Sequence, residues 1–147
     1  NFMARISQLF DIELLEKAEK PTKKHQLSLF MNREWYRLTW KKAVLKEYKS
    51  DMILLDVKLL NEKVLSGILG IKDVRFDQRI EYVPGTKGLR GLEKATVKSE
   101  NRIGFYLHPV QLTELMAMAD VHELLPPKST WFEPRIKNGL VVKSLEK

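Results

Sequence analysis

Two stretches of the chain combine residue types that could hold an anion. The first is Pro84–Gly91, where Gly85, Gly88 and Gly91 alternate with Thr86, Lys87 and Arg90. Glycines let backbone N–H groups come close to an anion, and a helix starting there adds partial positive charge. Lys87 and Arg90 would neutralise a phosphate. The spacing fits neither the Walker nor the dinucleotide-binding pattern, so a turn that merely needs glycine is the competing reading. The second stretch is Pro126-Pro127-Lys128-Ser129-Thr130-Trp131-Phe132-Glu133-Pro134-Arg135. The prolines stiffen the approach. Lys128 and Arg135 supply charge, and Ser129 and Thr130 supply hydroxyls, a set suited to phosphate or carboxylate. Trp131 and Phe132 could wall a pocket, or Trp131 could simply plug a core.

Other chemistries find less support. His108, His122, Glu114 and Asp120 do not fall at ligand spacings such as His-x-x-x-His, so no metal site is expected. Ser129 has no histidine–acid pattern beyond His122 to make it a nucleophile. The three histidines, His25, His108 and His122, stand isolated, and no cofactor can be named. Asp73, Arg75, Asp77, Arg79 and Glu81 alternate as a charged ladder. It reads as the solvated side of a sheet, with a binding surface leading into the glycine loop as the alternative.

These residues sit on 147 positions with 44% hydrophobic and 31% charged residues. That describes one globular domain, residues 1–147, with enough chain for a core. There is no cysteine, which removes disulfides and thiolate chemistry and suits a cytoplasmic protein. No apolar run reaches the roughly 20 residues needed to span a bilayer. The formal charge is +7, and residues 17–50, with ten basic and three acidic side chains, hold all of it. Trp35, Tyr36 and Trp40 lie in the same span. Basic and aromatic residues interleaved on a hairpin could grip single-stranded nucleic acid. Strand alternation places Trp35 and Trp40 on opposite faces, so in the simplest register only one of them is core.

Periodicity supplies the elements. Phe2, Ile6 and Leu9 form a helical stripe. Phe10, Ile12 and Leu14 then alternate with Asp11 and Glu13 as a strand. Lys17–His25 is a polar loop. Residues 26–41 form a hairpin turning at Asn32-Arg33. Asp56 sits where an N-cap belongs, before Leu59, Leu60, Val64, Ile68 and Leu69 at helical spacing, and Gly70 ends that helix. Alternation from Val74 to Tyr82 predicts extended strand with a bend near Asp77. A helix follows with Leu89, Leu92 and Val97, then a strand at Ile103, Phe105 and Leu107. A last helix opens at Pro109 with Leu112, Leu115, Met116 and Met118 inward, and a final strand runs from Gly139 to Val142. The expected fold is α+β, a mixed β-sheet with an N-terminal hairpin and helices packed mainly on one face.

Several segments in order carry a family likeness. They are Leu54-Leu55-Asp56-Val57, Leu69-Gly70-Ile71-Lys72-Asp73, Arg79-Ile80-Glu81-Tyr82-Val83-Pro84-Gly85, Met116-Ala117-Met118-Ala119-Asp120, the block from Leu125 to Arg135, and Gly139-Leu140-Val141. Together they span nearly the whole chain. The sequence resembles the C-terminal part of the prokaryotic family labelled domain of unknown function one-zero-one-five. The resemblance implies longer proteins whose middle region carries an aspartate-glycine-histidine-histidine-arginine motif. That motif is similar to one in the ParB and sulfiredoxin superfamily, which includes small-molecule serine kinases. This chain has no such motif. The helical stripe crossing Met3 fits a piece of a longer protein, with any catalytic centre upstream of Asn1.

The expectation is therefore a cytoplasmic C-terminal domain that binds a small anionic metabolite through Lys87, Arg90, Lys128, Ser129, Thr130 and Arg135. It would complete a phosphoryl-transfer-type site with the N-terminal region of the same protein, and it involves no membrane. A nucleic-acid-binding or transcription-regulatory module and a purely structural domain remain open alternatives.

Overall fold

A computed structural model describes residues 2–48 and 53–126. Helix α1, Phe2–Leu9, leads directly into strand β1, Phe10–Leu15. β2, Gln26–Met31, and β3, Glu34–Trp40, form the expected hairpin. Asn32 and Arg33 turn it at φ 51° and 65°, a two-residue turn made without glycine. The short helix α2, Lys42–Leu45, follows, then α3, Asp56–Leu59, which runs on as a π-helix over Leu60–Ser66. A 3₁₀ turn at Gly85–Lys87 opens α4, Gly88–Thr96. Strand β4, Gly104–Leu107, and helix α5, Leu112–Asp120, complete the described elements.

The fold is α+β, with helices packed against a four-stranded sheet in the order β1-β3-β2-β4. All three strand pairings are antiparallel, where a mixed sheet was expected. Only β2 and β3 are neighbours joined directly, by the hairpin turn, while β1 and β4 pair antiparallel at the two edges. The register puts Phe10, Leu27, Leu29, Leu38 and Trp40 on one face. Ile6 of α1, Val44 of α2, and Leu59, Leu60 and Val64 of the long helix close over that face as one buried cluster. Burying such aliphatic side chains contributes roughly 1.5–3 kcal/mol each.

The opposite face is covered as well. Gly104 of β4 meets α4 so closely that a Cβ there would lie 2.6 Å from Thr96 Oγ1 and 2.9 Å from Leu92. Beside it the 16–25 loop folds over the sheet, with Ser28 Oγ donating to the Glu19 carbonyl at 2.6 Å. Arg37 reaches Glu13 and Glu19 at 2.8 and 2.5 Å. Covering both faces corrects the tryptophan expectation. Trp40 is buried against Phe10 on one face and Trp35 against Phe30 on the other. With both indoles inside, the hairpin has no tryptophan platform for nucleic-acid bases.

Other expectations need correction. Val74–Tyr82 is not strand. It is a run of turns in which Asp73 chelates Arg75, Asp77 chelates Arg79, and Glu81 pairs with Arg102. An Asp-x-Arg repeat imitates strand alternation, but its side chains close turns locally, each Asp also taking the backbone N–H two residues on. Asp56 is the first helical residue and caps nothing. Leu55 is the N-cap. α5 starts at Leu112 behind a capping box of Gln111 and Glu114, so Pro109 lies outside it. Met118 is core, while Leu112 and Met116 are 66% and 59% exposed. The proposed strand at Gly139–Val142 lies outside the described residues.

Candidate anion-binding groove

The long helix changes register at Leu60. Gly67 N–H bonds to the Glu62 carbonyl and Leu69 N–H to the Val64 carbonyl, both five residues back. That spacing defines a π-helix, a rare form that is frequent at functional sites. Its consequence is local. Residues five apart, such as Asn61 and Ser66, come to lie one turn apart, whereas α-helical spacing would rotate them onto different faces. Gly67 permits the wide turn, because a Cβ there would sit 2.6 Å from the Lys63 carbonyl oxygen.

The helix end is closed by two arginines. Arg5 of α1 donates to the Gly67 and Ile68 carbonyls at 2.7 and 2.9 Å. Arg79 donates to the Leu69 carbonyl at 3.1 Å and the Gly70 carbonyl at 3.5 Å. Both satisfy carbonyls that helix geometry leaves unpaired and place positive charge where the helix dipole favours it. Gly70 then turns the chain at φ 66°, and Ile71 is buried. The following turn is thereby set beside the π-helix.

Between them lies a groove of about 420 Å³ lined by Lys58, Asn61, Glu62, Ser66, Ile71, Lys72, Asp73, Val74, Arg75 and Pro126. It contains three cations, two acids and two neutral hydrogen-bonding side chains. Lys58 is 3.4 Å from Glu123. Asp73 holds Arg75 through Nε at 3.0 Å and Nη2 at 2.7 Å. A guanidinium has five N–H groups, so this grip orients Arg75 and, among the described residues, leaves Nη1 without a hydrogen-bond partner. The Arg75 side chain and backbone hold the Asp73 carboxyl at about 2, below its ordinary 3.8. Lys72 has no ion-pair partner among the described residues. Cationic donors beside amide and hydroxyl groups suit phosphate or carboxylate oxygens.

Of the residues expected to bind an anion, Lys87 and Arg90 are exposed at the start of α4. Gly88 takes φ 58°, and no side chain caps the helix. A Cβ on Gly91 would collide with Lys87 Cβ, so that glycine makes room for the lysine stem. Neither Lys87 nor Arg90 lines the groove. Lys128, Ser129, Thr130 and Arg135, with Trp131 and Phe132, lie outside the described residues.

A second constellation escaped sequence reasoning. Asp56, only 7% exposed, accepts from the His25 backbone N–H at 2.9 Å and meets His25 Nδ1 at 3.0 Å. His25 stands at φ 67°, an uncommon conformation for a residue with a side chain. The pair fastens the lysine-rich loop to the start of α3. The two residues are 31 positions apart, and no local pattern joins them. Nearby, Lys24 pairs with Glu114. Burial pushes the Glu114 carboxyl up, but Lys24, the Gln111 N–H and His108 outweigh it and bring it below the ordinary range. Among the described residues no group of three or more His, Cys, Asp or Glu side chains could hold a metal ion. No helix among them is long and apolar enough to cross a membrane.

No protein-family model, curated protein or solved structure matches the chain.

Proposed function

We propose that this protein binds a small anionic ligand in the groove between the π-helix and the Ile71–Arg75 turn. The observation that carries this reading is one concave surface bringing Lys58, Lys72 and Arg75 together with Asn61 and Ser66. A volume of about 420 Å³ falls within the roughly 300–1,000 Å³ usual for small-molecule sites. The family resemblance extends the proposal. The ligand would be a phosphate-bearing metabolite, and the domain would complete a phosphoryl-transfer-type site with the N-terminal region of a cytoplasmic protein.

Calorimetric titration with pyrophosphate at low ionic strength tests the reading. Lys72→Ala removes the groove cation that has no ion-pair partner among the described residues and is expected to weaken binding by roughly ten- to hundred-fold, since a hydrogen bond to a charged group contributes about 1.5–3 kcal/mol. Wild-type affinity in Lys72→Ala would refute the groove as the site. A second location has its own support in the uncapped start of α4, with Gly88 at φ 58° and Lys87 and Arg90 beside it. Loss of binding in Lys87→Ala/Arg90→Ala, with Lys72→Ala unaffected, would move the site there. No binding at all would leave the nucleic-acid-binding or regulatory reading and the purely structural one.

A further inference from the structure

We infer that the groove's ligand carries a flat ring next to its anionic group; this rests on the anion reading above. The grounds lie in the turn that forms one wall. Phe76, immediately after Arg75, is 78% exposed. The Arg75 guanidinium lies 5.2 Å from its ring centroid. Arg75 is therefore held on two sides, by Asp73 through two hydrogen bonds and by the Phe76 ring. Tyr82 is 46% exposed and donates through its hydroxyl to the carbonyl of Val74, another wall residue, at 3.3 Å. Neither ring lines the groove itself, but Phe76 adjoins its cationic end through Arg75. An exposed ring gains about 0.5–1.5 kcal/mol when another ring stacks on it, beyond the area that the contact buries. An anion seated on Lys72 and Arg75 would bring an attached ring toward the uncovered surface of Phe76. A planar ring satisfies both parts, because stacked aromatic pairs and cation–π contacts with Arg75 add to the charge pairing.

The experiment compares phenyl phosphate with methyl phosphate, which carry the same charge. Wild-type protein is expected to bind phenyl phosphate roughly two- to twelve-fold more tightly, the range that about 0.5–1.5 kcal/mol of aromatic pairing supplies. In Phe76→Leu the ratio of the two affinities falls to near unity, whatever common change in both the loosening of Arg75 brings. Equal affinity for the two phosphates in the wild type, or an undiminished preference in Phe76→Leu, overturns the inference and leaves the anion site standing. Failure of both phosphates to bind sinks the anion reading and this inference with it.

Discussion

Replacing Asp56 with alanine tests the clasp that fastens the lysine-rich loop to the helix forming the groove. Both carboxylate oxygens are in use, at 2.9 Å to the His25 backbone N–H and 3.0 Å to Nδ1. Hydrogen bonds to a charged group contribute about 1.5–3 kcal/mol each. The ring bond is partly recovered from water, since the His25 side chain is 28% exposed. The backbone bond is not, because it holds a left-handed residue at the mouth of β2. Removing a buried carboxylate also ends its desolvation cost, which offsets part of the loss. The expected net destabilisation is about 2–4 kcal/mol. In urea unfolding, with a slope near 2 kcal/mol/M, the midpoint should fall by about 1–2 M at unchanged slope. His25→Gly isolates the ring. It keeps the N–H bond and suits the positive φ, so it should cost about 1 kcal/mol or less, much of it glycine entropy. The reasoning is refuted if Asp56→Ala costs less than about 0.5 kcal/mol. It is equally refuted if His25→Gly costs as much as Asp56→Ala, because the backbone bond would then not be the main contributor.

Gly67→Ala places a Cβ 2.6 Å from the Lys63 carbonyl oxygen, so thermal unfolding should show a loss of about 1–3 kcal/mol, and pyrophosphate binding should weaken as the π-turn shifts. Leu59→Ala, at a position with 0% exposure, should cost about 2–5 kcal/mol in the same assay, whereas Leu112→Ala, at 66% exposure, should stay within about 0.5 kcal/mol of wild type. Asp73 and Asp77 are held at about 2, below the ordinary 3.8, by Arg75 and Arg79. Because the folded values are depressed, this contribution is present above about pH 4 and is lost as pH falls toward 2. It is small and salt-sensitive at exposed sites. Carbon-detected NMR titration should return Asp73 toward the ordinary value in Arg75→Ala, and an unchanged midpoint there would show that Arg75 is not the cause.

Elements governed by unbroken periodicity were legible in the sequence. The Phe2–Leu9 stripe and the β1 alternation reflect burial of one face, which residue types report directly, and the 26–41 hairpin shows through its two strand-like runs and the turn between them. Misreadings arose where a local interaction imitates a period. Asp73, Arg75, Asp77 and Arg79 alternate because each aspartate reaches two residues forward within a turn, so the pattern of a strand appeared without a strand. Trp35 and Trp40 show a related difficulty. Alternation places them correctly on opposite faces, but it carries no information that the 16–25 loop and α4 cover the second face. Of the candidate site, only Asp73 and Arg75 stand out in the sequence, as part of a charged ladder that reads as a solvated face. Lys58, Asn61 and Ser66 meet Lys72 and Arg75 because a π register and two carbonyl-binding arginines, Arg5 and Arg79, set one segment beside another. Helical spacing of 3.6 residues cannot express that arrangement.

The central claim is that anions bind between the π-helix and the Ile71–Arg75 turn, and amide NMR during a pyrophosphate titration tests it most directly. The account predicts saturating shifts at Asn61, Ser66, Lys72 and Arg75, with a Lys72→Ala protein losing them. Shifts confined to Gly88, Leu89 and Arg90, or none at any amide of the protein, would contradict it.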